Sequence, residues 1–107
     1  MSNNNEWKID YLDEKHEKAL RKKYTSDKRL EKRWYDFKSD VTKNPYHHPK
    51  PRRIVKLKDV KAFLKGTYRY KKEPIRVVYY PKGETKTVYP LEVAKVTDVS
   101  YKKRSSR

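Results

Sequence analysis

At Asn44-Pro45, close to the middle of this chain, the apolar residues change period, and that switch separates a helical half from a stranded half. Before it, Leu30, Trp34, Phe37 and Val41 recur at i, i+4, i+7 and i+11, the stripe of an amphipathic helix. Leu12, His16, Ala19, Leu20 and Tyr24 form an earlier stripe that predicts a first helix, with Asp13 placed to cap it. Thr25-Ser26-Asp27 supplies cap residues for the second helix. Asn44-Pro45 ends it, because the residue before a proline disfavours helical backbone. The segment from there to Pro51 holds three prolines and two histidines and reads as a loop.

Beyond that loop the pattern is that of strands. Ile54 to Leu57, Phe63 to Lys71, Ile75 to Tyr80 and Thr85 to Val96 are the expected runs, with Lys82-Gly83-Glu84 as a hairpin turn. Pro90 inside the last run predicts a bulge or an edge. At the front, Trp7, Ile9 and Tyr11 alternate with Lys8 and Asp10, which predicts one more short strand. The fold class is therefore α+β in two layers: a strand, two helices, then an antiparallel sheet of three to four strands. Both helices pack on one sheet face and leave the other available. One domain over residues 1–107 suits this length, with flexible tails expected at 1–6 and 102–107.

Charge narrows the partner. The formal net charge is +16, from 30 basic and 14 acidic residues, so a polyanion is expected: nucleic acid or an anionic membrane surface. Residues 1–50 carry 13 basic and 9 acidic side chains and residues 51–107 carry 17 and 5, which directs the polyanion to the second half. An aromatic content of 13% argues against a wholly disordered basic chain. No run reaches the length of a membrane span and the first residues are polar rather than signal-like, so a cytoplasmic location is expected. With no cysteine, disulfides, thiolate catalysis and cysteine-based zinc sites are excluded. Only Gly66 and Gly83 are present, and no glycine-rich phosphate loop or Ser/His/Asp arrangement is seen.

Within the second half, Lys65 to Tyr80 (K-G-T-Y-R-Y-K-K-E-P-I-R-V-V-Y-Y) mounts cations on two adjacent strands. Residues i and i+2 share a strand face, so Arg69 and Lys71 project together, opposite Tyr68 and Tyr70. Pairing through the short Lys72-Glu73-Pro74 connection brings Arg76 to the same surface, where three cations can grip one phosphodiester. The alternative is that these are ordinary solvated charges on a strand face. His47 and His48 are expected at the surface and His16 at the edge of the core. Three histidines without suitably spaced carboxylates make a poor metal site.

W-K-I-D-Y at the front, K-N-P closing the second helix, R-I-V-K-L-K, L-K-G-T-Y-R-Y, I-R-V-V-Y-Y and V-S-Y-K-K-R follow one another in an order that resembles the RelE/ParE superfamily of toxins from toxin-antitoxin modules. The resemblance spans nearly the whole chain. It implies either a ribosome-dependent mRNA endoribonuclease or a non-catalytic toxin acting on a protein target such as DNA gyrase, since one fold serves both. A plain RNA-binding module without toxicity is the third reading. In the nuclease branch the resemblance implies a metal-free cleavage in which the 2′-hydroxyl attacks the adjacent phosphate.

Carried over by position, the family's basic residues fall on Arg69, Lys71, Arg76 and Lys95, and its late tyrosine on Tyr101. The usual R-x-R-x-x-x-Y ending is here Lys95-Val96-Thr97-Asp98-Val99-Ser100-Tyr101. Lys71, whose charged form nearby cations disfavour, is then the candidate base, and Arg76 the stabiliser of the transition state. Lys95 is the candidate acid for the leaving oxygen, and Tyr101 orients the phosphate or stacks on a base. Arg53, Lys56, Lys102 and Lys103 join Arg69 as expected RNA contacts. The implied partners are a cognate antitoxin and mRNA on the ribosome, including ribosomal RNA, with no membrane and no cofactor.

Overall fold

The structure, a computed structural model, describes residues 6–57 and 66–96. The expected beginning of a strand at Phe63, the tail residues 102–107, and most of the tail at 1–6 lie outside them. Helix α1 runs Glu14–Tyr24 and α2 runs Lys28–Lys43. Both start where the sequence places a cap: the Asp13 carboxylate accepts from the His16 amide at 2.7 Å, and Asp27 accepts from the Arg29 amide at 2.8 Å. In α1, Glu14 and Glu17 sit in the first turn and Arg21, Lys22 and Lys23 in the last, each sign at the favourable end of the helix dipole. Asn44 caps the end of α2, and its side chain then accepts from the Tyr46 amide at 2.9 Å, turning the chain away.

Five strands form one sheet: β1 Lys8–Ile9, β2 Ile54–Lys56, β3 Tyr68–Lys72, β4 Ile75–Lys82 and β5 Thr87–Lys95. Their order is β1-β5-β4-β3-β2. Three to four antiparallel strands were the expectation; the fifth is β1, which joins the sheet parallel to β5 through Lys8 opposite Thr87 and Ile9 opposite Val88. The Trp7 amide donates to the Thr42 carbonyl at 2.8 Å, fixing the approach of β1 to the end of α2. The β4–β5 connection is longer than expected, because Thr85 and Lys86 belong to the turn. Lys86 takes a left-handed backbone (φ 52°) and donates from its amide to the Gly83 carbonyl.

Both helices cover one sheet face. Leu20, Tyr24, Leu30, Trp34, Phe37 and Val41 meet Tyr70, Ile75, Val77, Tyr79, Val88 and Val93 there. Trp34 stacks on Tyr24 with centroids 4.4 Å apart, and Phe37 meets Tyr70 and Tyr79 edge-on at 5.3 and 5.5 Å. Two of these tyrosines end on polar partners: the Tyr79 hydroxyl donates to the Pro45 carbonyl at 2.6 Å and the Tyr70 hydroxyl to Asp40 at 2.7 Å.

A bulge interrupts the β4–β5 pairing as expected near Pro90. Val78 pairs with Glu92 and Tyr79 with Pro90, which leaves Leu91 as the extra residue. His16, half-buried on α1, donates from Nε2 to the Leu91 carbonyl at 3.1 Å and so ties the helix to the bulge. The extra residue keeps Tyr79 and Val88 on the core side beyond it.

Candidate nucleic-acid interface

The strand register decides which basic residues meet. Lys71 and Arg76 are direct cross-strand partners, and Ala94 lies beside Arg76 on β5. Arg69 pairs with Val78 on one side and Val55 on the other. Because partners share a face and Tyr70 and Val77 between them are buried under the helices, Arg69, Lys71 and Arg76 project together from the far face. The small side chain of Ala94 leaves the flank of Arg76 open. Glu92, opposite Val78, is a carboxylate on this same face that the sequence reading passed over. Its alternation with core residue Val93 was the signal for it.

Arg69 is half-buried. Its Nη2 donates to the Arg52 carbonyl at 3.3 Å, and its Nε is buried with no hydrogen-bond partner. Burial first, and the neighbouring Arg76 second, lower its proton affinity below that of an ordinary arginine. Arg52 itself holds a left-handed backbone, φ 67°, rare for a residue with a side chain. Between this turn and β3 lies a cleft of about 240 Å³. Its basic lining is Lys50, Arg52, Arg53, Arg69, Lys71 and Lys72, and its acidic lining is Glu73.

Other expected members of the site stand elsewhere. Lys95 pairs with Ile75, so it points to the helix side, and its Nζ lies 2.8 Å from Asp27 at the start of α2. The expectation that it converges with Lys71 and Arg76 is corrected by the two-residue strand period, which puts Ala94 in that position. Lys56 pairs with Tyr68 and likewise takes the helix side of the edge strand, leaving Val55 beside Arg69. Arg53 lies over the Tyr70 ring, 5.9 Å from its centroid, at the end of the cleft. Tyr101, Lys102 and Lys103 are outside the described residues.

Lys72 and Arg33 both reach Asp36, each at 3.1 Å. Burial alone would raise the Asp36 carboxyl, but hydrogen bonds from Lys72 and Arg33 outweigh it and hold the group below its ordinary value. His48, expected at the surface, is partly buried instead. Its Nδ1 accepts from the Lys50 amide at 3.0 Å, so the proton sits on Nε2, 3.3 Å from the Asp40 carboxylate that Tyr70 also contacts. His47 is exposed. Among the described residues no three possible metal ligands gather, and no helix is long and apolar enough to cross a membrane.

This two-layer α+β arrangement, with paired helices on one side of the sheet and clustered cations on the other, has a counterpart of the same fold among solved structures. A chain of the crystal structure of the toxin-antitoxin complex RelBE2 from Mycobacterium tuberculosis superposes with a TM-score of 0.60, at 20% sequence identity, over 84% of this chain and 98% of that one. No family model and no curated protein matches the sequence.

Proposed function

We propose that this chain is the toxin of a type II toxin-antitoxin system and that it cleaves mRNA on the ribosome to stop translation. The observation that carries this reading is the Lys71–Arg76 cross-strand pair, flanked by Arg69, on the sheet face away from α1 and α2. The RelE-like fold supports it. In the proposed reaction the 2′-oxygen forms a bond to the adjacent phosphorus and the bond to the 5′-oxygen breaks, giving a 2′,3′-cyclic phosphate and a 5′-hydroxyl. The neutral-amine form of Lys71 accepts the 2′-hydroxyl proton and becomes the ammonium, and Arg76, with its planar fork of donors, stabilises the dianionic transition state. Basic residues thus do the work usually given to a pair of histidines. Lys95, held at Asp27, has no part in the step, and the leaving oxygen takes its proton from water. Tyr101, Lys102 and Lys103 extend the RNA contact.

A cytoplasmic chain of this charge is expected to be held by an antitoxin that wraps it with an acidic or amphipathic segment. Primer extension on mRNA from cells briefly expressing the chain, beside Arg76→Ala, tests the proposal. Codon-phased cuts that disappear in the variant support it. The retreat of Lys95 from the cluster favours the second reading, a toxin acting on a protein target, and intact mRNA with altered DNA supercoiling would establish that one instead.

A further inference from the structure

The cation cluster is larger than one phosphate requires. Arg69 stands two residues from Lys71 on the same face, roughly 6.8 Å along the strand, a separation close to that of consecutive phosphates in an extended RNA strand. The cleft of about 240 Å³ opens beside it, ringed by the basic residues of the turn and β3. We propose that Arg69 and the Lys50–Arg53 turn form a second phosphate subsite, taking the backbone phosphate next to the one gripped by Lys71 and Arg76. This rests on the RNA-cleaving reading above and adds to it a place for the neighbouring nucleotide.

Three observations together favour an anion there. First, Arg69 Nε is a buried donor without an acceptor, and such groups are rare enough in folded proteins to need a reason. Second, the left-handed Arg52 turns its carbonyl onto Arg69 Nη2, fixing the guanidinium while leaving Nε uncommitted. Third, among the described residues no acid neutralises Arg69 along its row of the sheet. Its cross-strand neighbours are Val55 and Val78, and Glu92 lies a further strand away, roughly 9.6 Å across the sheet. Glu73 at the end of the cleft is the carboxylate an incoming phosphate passes. Partial burial and, second to it, the like charge of Arg76 weaken the hold of Arg69 on its proton, and a bound anion offsets both.

The test uses the full chain, ¹⁵N-labelled, and uncleavable 2′-O-methyl RNA. A dinucleotide carries one backbone phosphate and a trinucleotide two. The proposal expects the trinucleotide to bind about tenfold more tightly, the worth of one charge-assisted hydrogen-bonded contact, and to shift the Arg69 Nε–Hε resonance, which the dinucleotide leaves in place. Arg69→Gln removes the gain and flattens the salt dependence for the trinucleotide by about 0.7 in log–log slope. Equal affinity of wild type for the two oligonucleotides, with the Arg76 resonance moving and that of Arg69 still, would overturn the subsite while sparing the RNA reading. If neither oligonucleotide moves either resonance, both fail. Inorganic phosphate shifting Arg69 at the same concentration as the trinucleotide would identify a free-anion site and also overturn the proposal. The resonance of Arg69 in wild type decides the matter even if Arg69→Gln folds poorly.

Discussion

Lys95 and Arg76 leave the sheet on opposite sides: Arg76 stands beside Ala94 on the open face, while the next residue on β5 turns under and places its Nζ 2.8 Å from Asp27. Lys95→Ala should therefore keep codon-phased mRNA cleavage within about tenfold of wild type, far short of the 10²–10⁴-fold expected for loss of a general acid or base. Lys71→Ala should show that larger loss, and Glu92→Gln should not. Single-turnover cleavage of a programmed ribosome measures all three.

The same contact makes the start of α2 sensitive to acid. A hydrogen bond from Lys95, then one from the Arg29 amide, holds the Asp27 carboxyl below its ordinary value of 3.8. A carboxyl depressed in the folded state contributes stability above that ordinary value and loses it as the pH falls through the lower, folded value. Asp27→Asn keeps a capping oxygen but not the charge, so its Tm should match wild type more closely at strongly acid pH than at pH 7. Thermal unfolding followed by circular dichroism across that range provides the check.

At the alkaline end the tyrosines take over. Burial, followed by the nearby Tyr24 and Glu17, pushes Tyr11 up to about 12. Burial raises Tyr70 and Tyr79 further still, with Asp40 adding to the effect at Tyr70 and Tyr68 at Tyr79. The unfolded chain ionises these phenols near 10, so folding stability should hold up to that pH and decline above it as the folded groups resist titration. Absorbance titration should show a lagging fraction of tyrosinate that is released together with the unfolding signal. Tyr70→Phe should remove part of the lag and cost about 1 kcal/mol in urea unfolding at pH 7, the worth of its bond to Asp40.

Trp34 is wholly buried between Tyr24 and Phe37. Trp34→Ala should lower stability by about 3–5 kcal/mol, a large share of what a domain this size possesses. Equilibrium denaturation gives the value.

Periodicity made much of this molecule legible. The i, i+4, i+7, i+11 stripe from Leu30 and the Asp13 and Asp27 caps placed both helices, and the two-residue period put Arg69, Lys71 and Arg76 on one face. The same period, counted from Val93, already put Lys95 with the core. The family's pattern suggested otherwise, and the local alternation was the sounder guide for that residue. Val55, next to Arg69, shows the same of Lys56. What no local pattern reveals is contact between distant segments. The parallel partner of β1 lies at the other end of the chain, and the link from His48 through Asp40 to Tyr70 joins a loop, a helix and a strand with no common spacing. Arg52 gave no warning either, since left-handed backbone there is imposed by the turn rather than by its residue type.

Among the described strands, the parallel neighbours β1 and β5 are the earliest and latest to be made. During synthesis Lys8 and Ile9 have no strand to lie against until Thr87 and Val88 emerge, and such distant pairings form slowly. Completion of the layer, and with it the bracing of β4 where Arg76 is mounted, is thus deferred until β5 itself has been made.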